Sequence, residues 1–166
     1  MFRTALLAFA IAATVTPALA QGPAPGGRER GPYAVISPMN GMCLNVKGGA
    51  LQAGGVLITW PCVGDAHNER FHTRALPDGG MQLFADSPRG DLCVEAPAFK
   101  GEQLRLATCR PDAIGQSWRT GRDQSLAGRG GFCANIEGEN RAQGTRVITW
   151  PCGGAINERW VLTPAR

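Results

Sequence analysis

From Tyr33 onward the apolar residues fall in short stretches cut by glycine, proline and charge. No stretch sustains the 3.6-residue period, with caps, that an amphipathic helix requires. The pattern instead predicts strands. Tyr33 to Ser37, Met42 to Val46, Val56 to Trp60 and Arg70 to Ala75 form a first set of four. Met81 to Ala85, Leu92 to Ala96, Leu104 to Thr108 and Ser117 to Thr120 form a second. Ser125 to Leu126, Phe132 to Ile136, Val147 to Trp150 and Arg159 to Leu162 form a third. The expected class is all-β.

The three sets repeat one another. Ile58-Thr59-Trp60-Pro61-Cys62 returns as Ile148-Thr149-Trp150-Pro151-Cys152, and each copy has a cysteine nineteen positions upstream, Cys43 and Cys133. Asn68-Glu69-Arg70-Phe71 returns as Asn157-Glu158-Arg159-Trp160. Between them lies a diverged copy that keeps a cysteine pair, Cys93 and Cys109, and ends in Gln116-Ser117-Trp118. The units run over about 33–76, 79–120 and 122–164. One four-stranded unit cannot bury its apolar face alone, whereas three can close on one another. Phe71, Trp118 and Trp160 are accordingly expected in the shared core, near a pseudo-threefold axis.

Composition adds the compartment. Arg3, the apolar run Ala5 to Val15 and Ala18-Leu19-Ala20 have the form of a secretory signal peptide over residues 1–20, with cleavage expected before Gln21. That run is too short to span a bilayer, so no transmembrane segment is expected and the product is read as secreted or periplasmic. Residues 21–32, QGPAPGGRERGP, offer nothing apolar to bury and are read as a flexible lead-in. Residues 33–166 then form the folded domain. Losing Arg3 takes the formal charge from +4 to +3. The remaining arginines are scattered without a run, which argues against a nucleic-acid partner.

Six cysteines in an exported chain point to disulfides, and six allow fifteen connectivities. The repeat narrows these. If Cys43–Cys62 and Cys133–Cys152 are equivalent bridges, Cys93–Cys109 remains in the matching place. Zinc is not expected, for want of close Cys-x-x-Cys spacing, and no cofactor motif occurs.

Cys43-Leu44-Asn45-Val46, Trp60-Pro61-Cys62 and Asn68-Glu69-Arg70-Phe71, with their counterparts, resemble the ricin B-type β-trefoil lectin repeat. The resemblance runs from about Tyr33 to Pro164. It implies a β-trefoil of three four-stranded repeats, each with an internal disulfide, acting as a non-catalytic carbohydrate-binding module for glycans or glycoconjugates. It also implies roles. The residue two after the first cysteine hydrogen-bonds sugar hydroxyls, and Asn45, Glu95 and Asn135 hold that place. The residue two before the second cysteine stacks on the pyranose, and Trp60, Ala107 and Trp150 hold it. A further hydroxyl partner is placed at Asn68, Gly115 and Asn157.

A flat aromatic for the C–H face, with amides at the rim for the hydroxyls, suits a pyranose. Two candidate sites follow: Trp60 with Asn45 and Asn68, and Trp150 with Asn135 and Asn157. The middle repeat lacks both Trp and Asn and is expected to be structural. This chain departs from the family pattern in that no repeat keeps acid and aromatic together. An amide oxygen forgoes the roughly twofold gain of charge assistance, so the usual galactose mode is not expected to carry over unchanged. Other readings stay open from the residues alone. Trp60 and Trp150 also suit core positions beside a disulfide, and Asn45 and Asn135 suit turn backbone.

No catalytic residues are expected. The cysteines are paired, and His67 and His72 align with Ile156 and Val161, so neither belongs to the repeated constellation. Glu69 and Glu158 are expected to hold backbone rather than act as acids. The rival to sugar binding is a protein-interaction trefoil, such as a toxin delivery subunit or an enzyme inhibitor.

Overall fold

The structure, a computed structural model, describes residues 27–64 and 66–165. The signal-peptide reading of residues 1–20, and the lead-in as far as residue 26, lie outside the described residues. Twelve strands follow in order. The first unit holds β1 (Glu29–Ile36), β2 (Cys43–Val46), β3 (Leu57–Trp60) and β4 (Phe71–Ala75). The second holds β5 (Met81–Ala85), β6 (Leu92–Glu95), β7 (Arg105–Thr108) and β8 (Trp118–Thr120). The third holds β9 (Leu126–Gly128), β10 (Phe132–Ile136), β11 (Val147–Pro151) and β12 (Val161–Pro164). Only single 3-10 turns interrupt them, the described residues containing no α-helix.

The first and last strands of each unit build a barrel. β1 pairs β4, β4 pairs β5, β5 pairs β8 and β8 pairs β9, all antiparallel. A bridge between Ser125 and Arg159, with Trp160 N donating to Gln124 O at 2.8 Å, carries the ring to the last strand. β12 then pairs β1 from Tyr33↔Pro164 to Ile36↔Val161 and closes it. Closure removes the exposed edges an open sheet would present. The middle strands form the hairpins β2–β3, β6–β7 and β10–β11. These meet around the axis through three equivalent bonds: Leu106 N to Gly55 O at 2.7 Å, Thr59 N to Thr145 O at 2.9 Å, and Thr149 N to Glu102 O at 2.8 Å. The fold is a β-trefoil.

Phe71, Trp118 and Trp160 are fully enclosed in one apolar cluster with Val35, Leu44, Leu83 and Ile136. The two indoles also satisfy their N–H groups, Trp118 on Val94 O at 2.9 Å and Trp160 on Ala134 O at 2.8 Å. A buried tryptophan needs such a partner. The disulfides are Cys43–Cys62, Cys93–Cys109 and Cys133–Cys152, each within one unit. Among the described residues no cysteine is free.

Three boundaries differ from expectation. β1 begins at Glu29, inside the stretch read as a flexible lead-in, because Glu29 pairs with Arg74 across the ladder and forms an ion pair with it at 2.6 Å. Cross-strand charge stands in for apolar burial there. β9 and β12 also sit later than their apolar letters suggest. The segments before them are occupied by the Asp123–Ser125 turn and by the 3-10 turn Ile156–Glu158.

Candidate functional site

Strand alternation decides where the repeated tryptophans point. In β3, Leu57 and Thr59 turn toward the other hairpins, while Ile58 lies buried at the cleft floor and Trp60 emerges on the same side at the strand end. Trp150 emerges in the same way from β11. They are 38% and 39% exposed, against complete burial of Trp118. The core reading of Trp60 and Trp150 is therefore set aside. Beside each indole runs the backbone of another repeat. Gly144 N donates to Thr59 O and Gly101 N to Thr149 O, both at 2.7 Å. Gly144, at φ +79°, lies so near that a side-chain carbon there would sit 3.7 Å from the Trp60 ring.

The asparagines were expected on the rim, and the structure places them lower. Asn45 is 3% and Asn135 5% exposed, because both lie on buried strands with their side chains at the floor of a cleft. Asn68 Nδ2 donates to Val46 O at 3.1 Å and to Asn45 Oδ1 at 2.9 Å. Asn157 Nδ2 donates to Ile136 O and Asn135 Oδ1, both at 2.9 Å. A backbone carbonyl only accepts, so it fixes which way the Asn68 and Asn157 amides face. The oxygens of Asn45 and Asn135 are thereby committed inward. Their Nδ2 groups bond to nothing among the described residues and are not enclosed, which leaves two donors facing each cleft floor.

The neighbouring acids hold the loops that shape these walls. Glu69 Oε1 accepts from Val63 N at 2.7 Å and Gly64 N at 2.6 Å. Glu158 accepts from Gly153 N and Gly154 N at 3.0 Å. Gln116 does the same for Arg110 N at 2.8 Å. Both glutamates are buried, Glu158 bonding backbone N–H groups through both oxygens and Glu69 through Oε1, its Oε2 being enclosed without a partner among the described residues.

The first cleft, of about 510 Å³, is floored by Asn45, Asn68 and Ile58 and flanked by Trp60, Gly144 and Lys47. The third-repeat cleft, of about 700 Å³, has Asn135, Asn157 and Ile148 in the same places, with Trp150 and Gly101. Its lip, however, carries Glu137 and Glu139 where the first has Lys47 and Gly49. Glu137 forms an ion pair with Arg146 at 2.7 Å, and Lys100 Nζ stands 4.0 Å over the Trp150 ring. Apolar ring faces with a few convergent polar groups, at these volumes, suit small ligands.

The second repeat has no such arrangement. Ala107 offers no platform and Gly115 no amide, and Glu95 accepts from Arg105 Nη2 at 3.0 Å and Gln116 Nε2 at 3.1 Å. Arg105 occupies the place of Ile58 and Ile148 and neutralises the one acid the resemblance would assign to sugar. His72 Nε2 lies 2.9 Å from Asp86 Oδ2 and its ring stacks on Phe84, a packing role. Among the described residues no cluster of His, Cys, Asp and Glu could hold a metal ion.

Sequence reasoning missed Lys47, Gly144, Lys100, Gly101, Glu137 and Glu139. The first and the last two follow directly on the paired Asn-Val and Asn-Ile letters and were readable as unlike lips of like sites. The other three come from adjacent repeats, and only the bonds of Gly144 to β3 and of Gly101 to β11, with the stacking of Lys100 on Trp150, show where they sit.

Comparison with known proteins agrees with the architecture. The model of the ricin-type beta-trefoil lectin domain matches residues 32–160. Nigrin b of Sambucus nigra is 26% identical over 106 residues, an alignment covering 55% of this chain and 18% of the length of Nigrin b. Among solved structures, the designed threefold-symmetric protein ThreeFoil superposes with a TM-score of 0.69 at 21% identity, over 79% of this chain and 96% of that one. The C-half of an earthworm R-type lectin, solved with GalNAc, gives 0.63 at 18%, over 79% and 96%. At such identities the structures speak for the fold, and the family model for the lineage. The chain belongs to the ricin-type beta-trefoil lectin domain family.

Proposed function

We propose that this chain is an exported, non-catalytic carbohydrate-binding module with two sites, Trp60–Asn45–Asn68 and Trp150–Asn135–Asn157. One observation carries the reading. An outward indole beside a pair of floor asparagines occurs twice, in equivalent clefts, while the equivalent tryptophan place in the second repeat is an alanine. The indole supplies a face for sugar C–H groups and the amides supply directional bonds. Family membership supports the same function. Two sites on one rigid barrel gain avidity on a surface bearing many copies of a glycan. Export rests on the leader-like residues 1–20, and N-terminal sequencing of the secreted or periplasmic protein should begin at Gln21.

The decisive measurement is binding of the protein to a glycan array, repeated with Trp60→Ala, Trp150→Ala and the double variant. Each single change should cut avidity sharply, and the double change should abolish it. Full retention by the double variant sinks the site assignment, and no binding by the parent protein sinks the lectin reading.

A further inference from the structure

The floor donors and the unlike lips together bear on what kind of sugar each cleft takes, an inference that rests on the lectin reading above. An aspartate at position 45 or 135 would offer the ligand a charged acceptor. Here the oxygen is turned inward to Asn68 or Asn157, and the side chain offers N–H instead. The polarity of the floor is thus inverted. A sugar hydroxyl can answer either polarity, but a carboxylate or sulfate substituent can only accept, and it is repelled by an acid and welcomed by an amide.

Matched positions on the lips then separate the two clefts. Lys47 stands where the third repeat has Glu137, and Gly49 where it has Glu139. Among the described residues no carboxylate lines the first cleft. Lys47 and Glu139 enter none of the ion pairs among the described residues, so their charges are not cancelled locally. Glu139 moreover holds a φ of +53°, a conformation that suits the glycine at its counterpart, Gly49, and strains a side chain. On the third lip Arg146 pairs with Glu137 at 2.7 Å, which leaves Glu139 as the uncancelled charge, and Lys100 lies over the Trp150 ring and is absent from the cleft lining.

We infer that the first-repeat cleft is selective for a sugar carrying an anionic substituent, a carboxylate or a sulfate, seated on Trp60 with the anion toward Asn45 Nδ2 and Lys47, and that the third-repeat cleft takes uncharged sugars. The two sites are sisters in geometry and opposites in charge. A mixed polysaccharide bearing acidic and neutral residues would engage both at once.

The test isolates each cleft. Trp150→Ala leaves the first and Trp60→Ala leaves the third, and titration calorimetry compares three sugars of one skeleton: a glucoside, its uronic acid and its sulfate ester. The first cleft should prefer the two charged sugars over the neutral one by roughly tenfold, with the preference shrinking as salt rises. Which of the two anions binds more tightly identifies the substituent. In the Trp150→Ala background, Lys47→Glu and Asn45→Asp should each remove most of that preference. The carboxylate introduced by Asn45→Asp would still accept from Asn68, and an unchanged melting temperature would show the fold intact. Conversely, Glu137→Lys with Glu139→Gly in the Trp60→Ala background should confer an anionic preference. Equal affinity of the first cleft for charged and neutral sugars overturns this inference and leaves the lectin reading standing. A preference found in the third cleft instead overturns the assignment of charge to lips. Failure of the parent protein to bind any sugar overturns both readings.

Discussion

The first and second repeats share a scaffold and differ in nearly every residue that faces the cleft. Both have an internal disulfide, a hairpin contacting its neighbours, and a 3-10 turn whose side chain gathers backbone N–H groups, Glu69 in one and Gln116 in the other. Both bury an aromatic at the start of the last strand, Phe71 or Trp118. On the cleft side, Trp60 becomes Ala107, Asn45 becomes Glu95, Ile58 becomes Arg105 and Asn68 becomes Gly115. In the second repeat Glu95 and Arg105 satisfy each other. In the first the floor donors are left open. The contrast separates what the trefoil requires from what a ligand requires, because barrel closure constrains one side of the hairpin and leaves the other side free.

The largest effect expected from this contrast sets one tryptophan against another. Trp118→Ala empties an enclosed site and strands Val94 O, and should destabilise the protein by about 3–5 kcal/mol in denaturant unfolding. Trp60→Ala removes an exposed ring and should cost under about 1 kcal/mol while removing binding at the first cleft. Comparable losses from the two would erase the distinction between scaffold and site.

A smaller effect compares the repeats that carry clefts. Thr149 Oγ1 donates to Phe99 O at 2.6 Å, clasping the loop beside Trp150, whereas Thr59 Oγ1 is buried without a partner among the described residues. Thr149→Val should cost about 1 kcal/mol of stability, and Thr59→Val should be neutral or stabilising. If thermal melts rank them the other way, the third cleft is not the more firmly held of the two.

The smallest effect is electrostatic and distinguishes the turns that open the second and third repeats. Hydrogen bonds from Gly80 N, then Ser117, hold the Asp78 carboxyl below its ordinary range, and the Ser125 hydroxyl and N–H do so for Asp123. A depressed carboxyl contributes stability that is present above the ordinary aspartate range and lost as pH falls through the folded value. The melting temperature should therefore decline on acidification below the ordinary aspartate range. Asp78→Asn with Asp123→Asn should flatten that decline by lowering the neutral-pH melting temperature about as far as the parent falls on acidification, a shift kept small by solvent screening.

Much of the fold was legible in the letters. Repetition of Ile-Thr-Trp-Pro-Cys located two units, a cysteine pair and Gln116-Ser117-Trp118 marked the diverged one between them, the repeat paired the bridges, and Phe71, Trp118 and Trp160 marked the core. Glu29 escaped because a strand held by a cross-strand ion pair carries no apolar signature. Of the candidate sites, the identities of Trp60, Trp150 and the four asparagines were legible, but not that Asn45 and Asn135 form a floor. Burial of a polar side chain depends on a partner, and the partners, Asn68 and Asn157, lie more than twenty residues away.

The sequence by itself determined the repeat unit, its covalent staples and the aromatic that each unit contributes to the core. Those features are local or are echoed at a constant offset, so chain order preserves them. Only the tertiary structure decided which atoms face a ligand. Val46 O and Ile136 O orient one amide, that amide orients the next, and Gly144 and Gly101 bring another repeat against each indole. Hydrogen-bond direction and the juxtaposition of separate repeats arise when the barrel closes, and no single segment of the chain contains them.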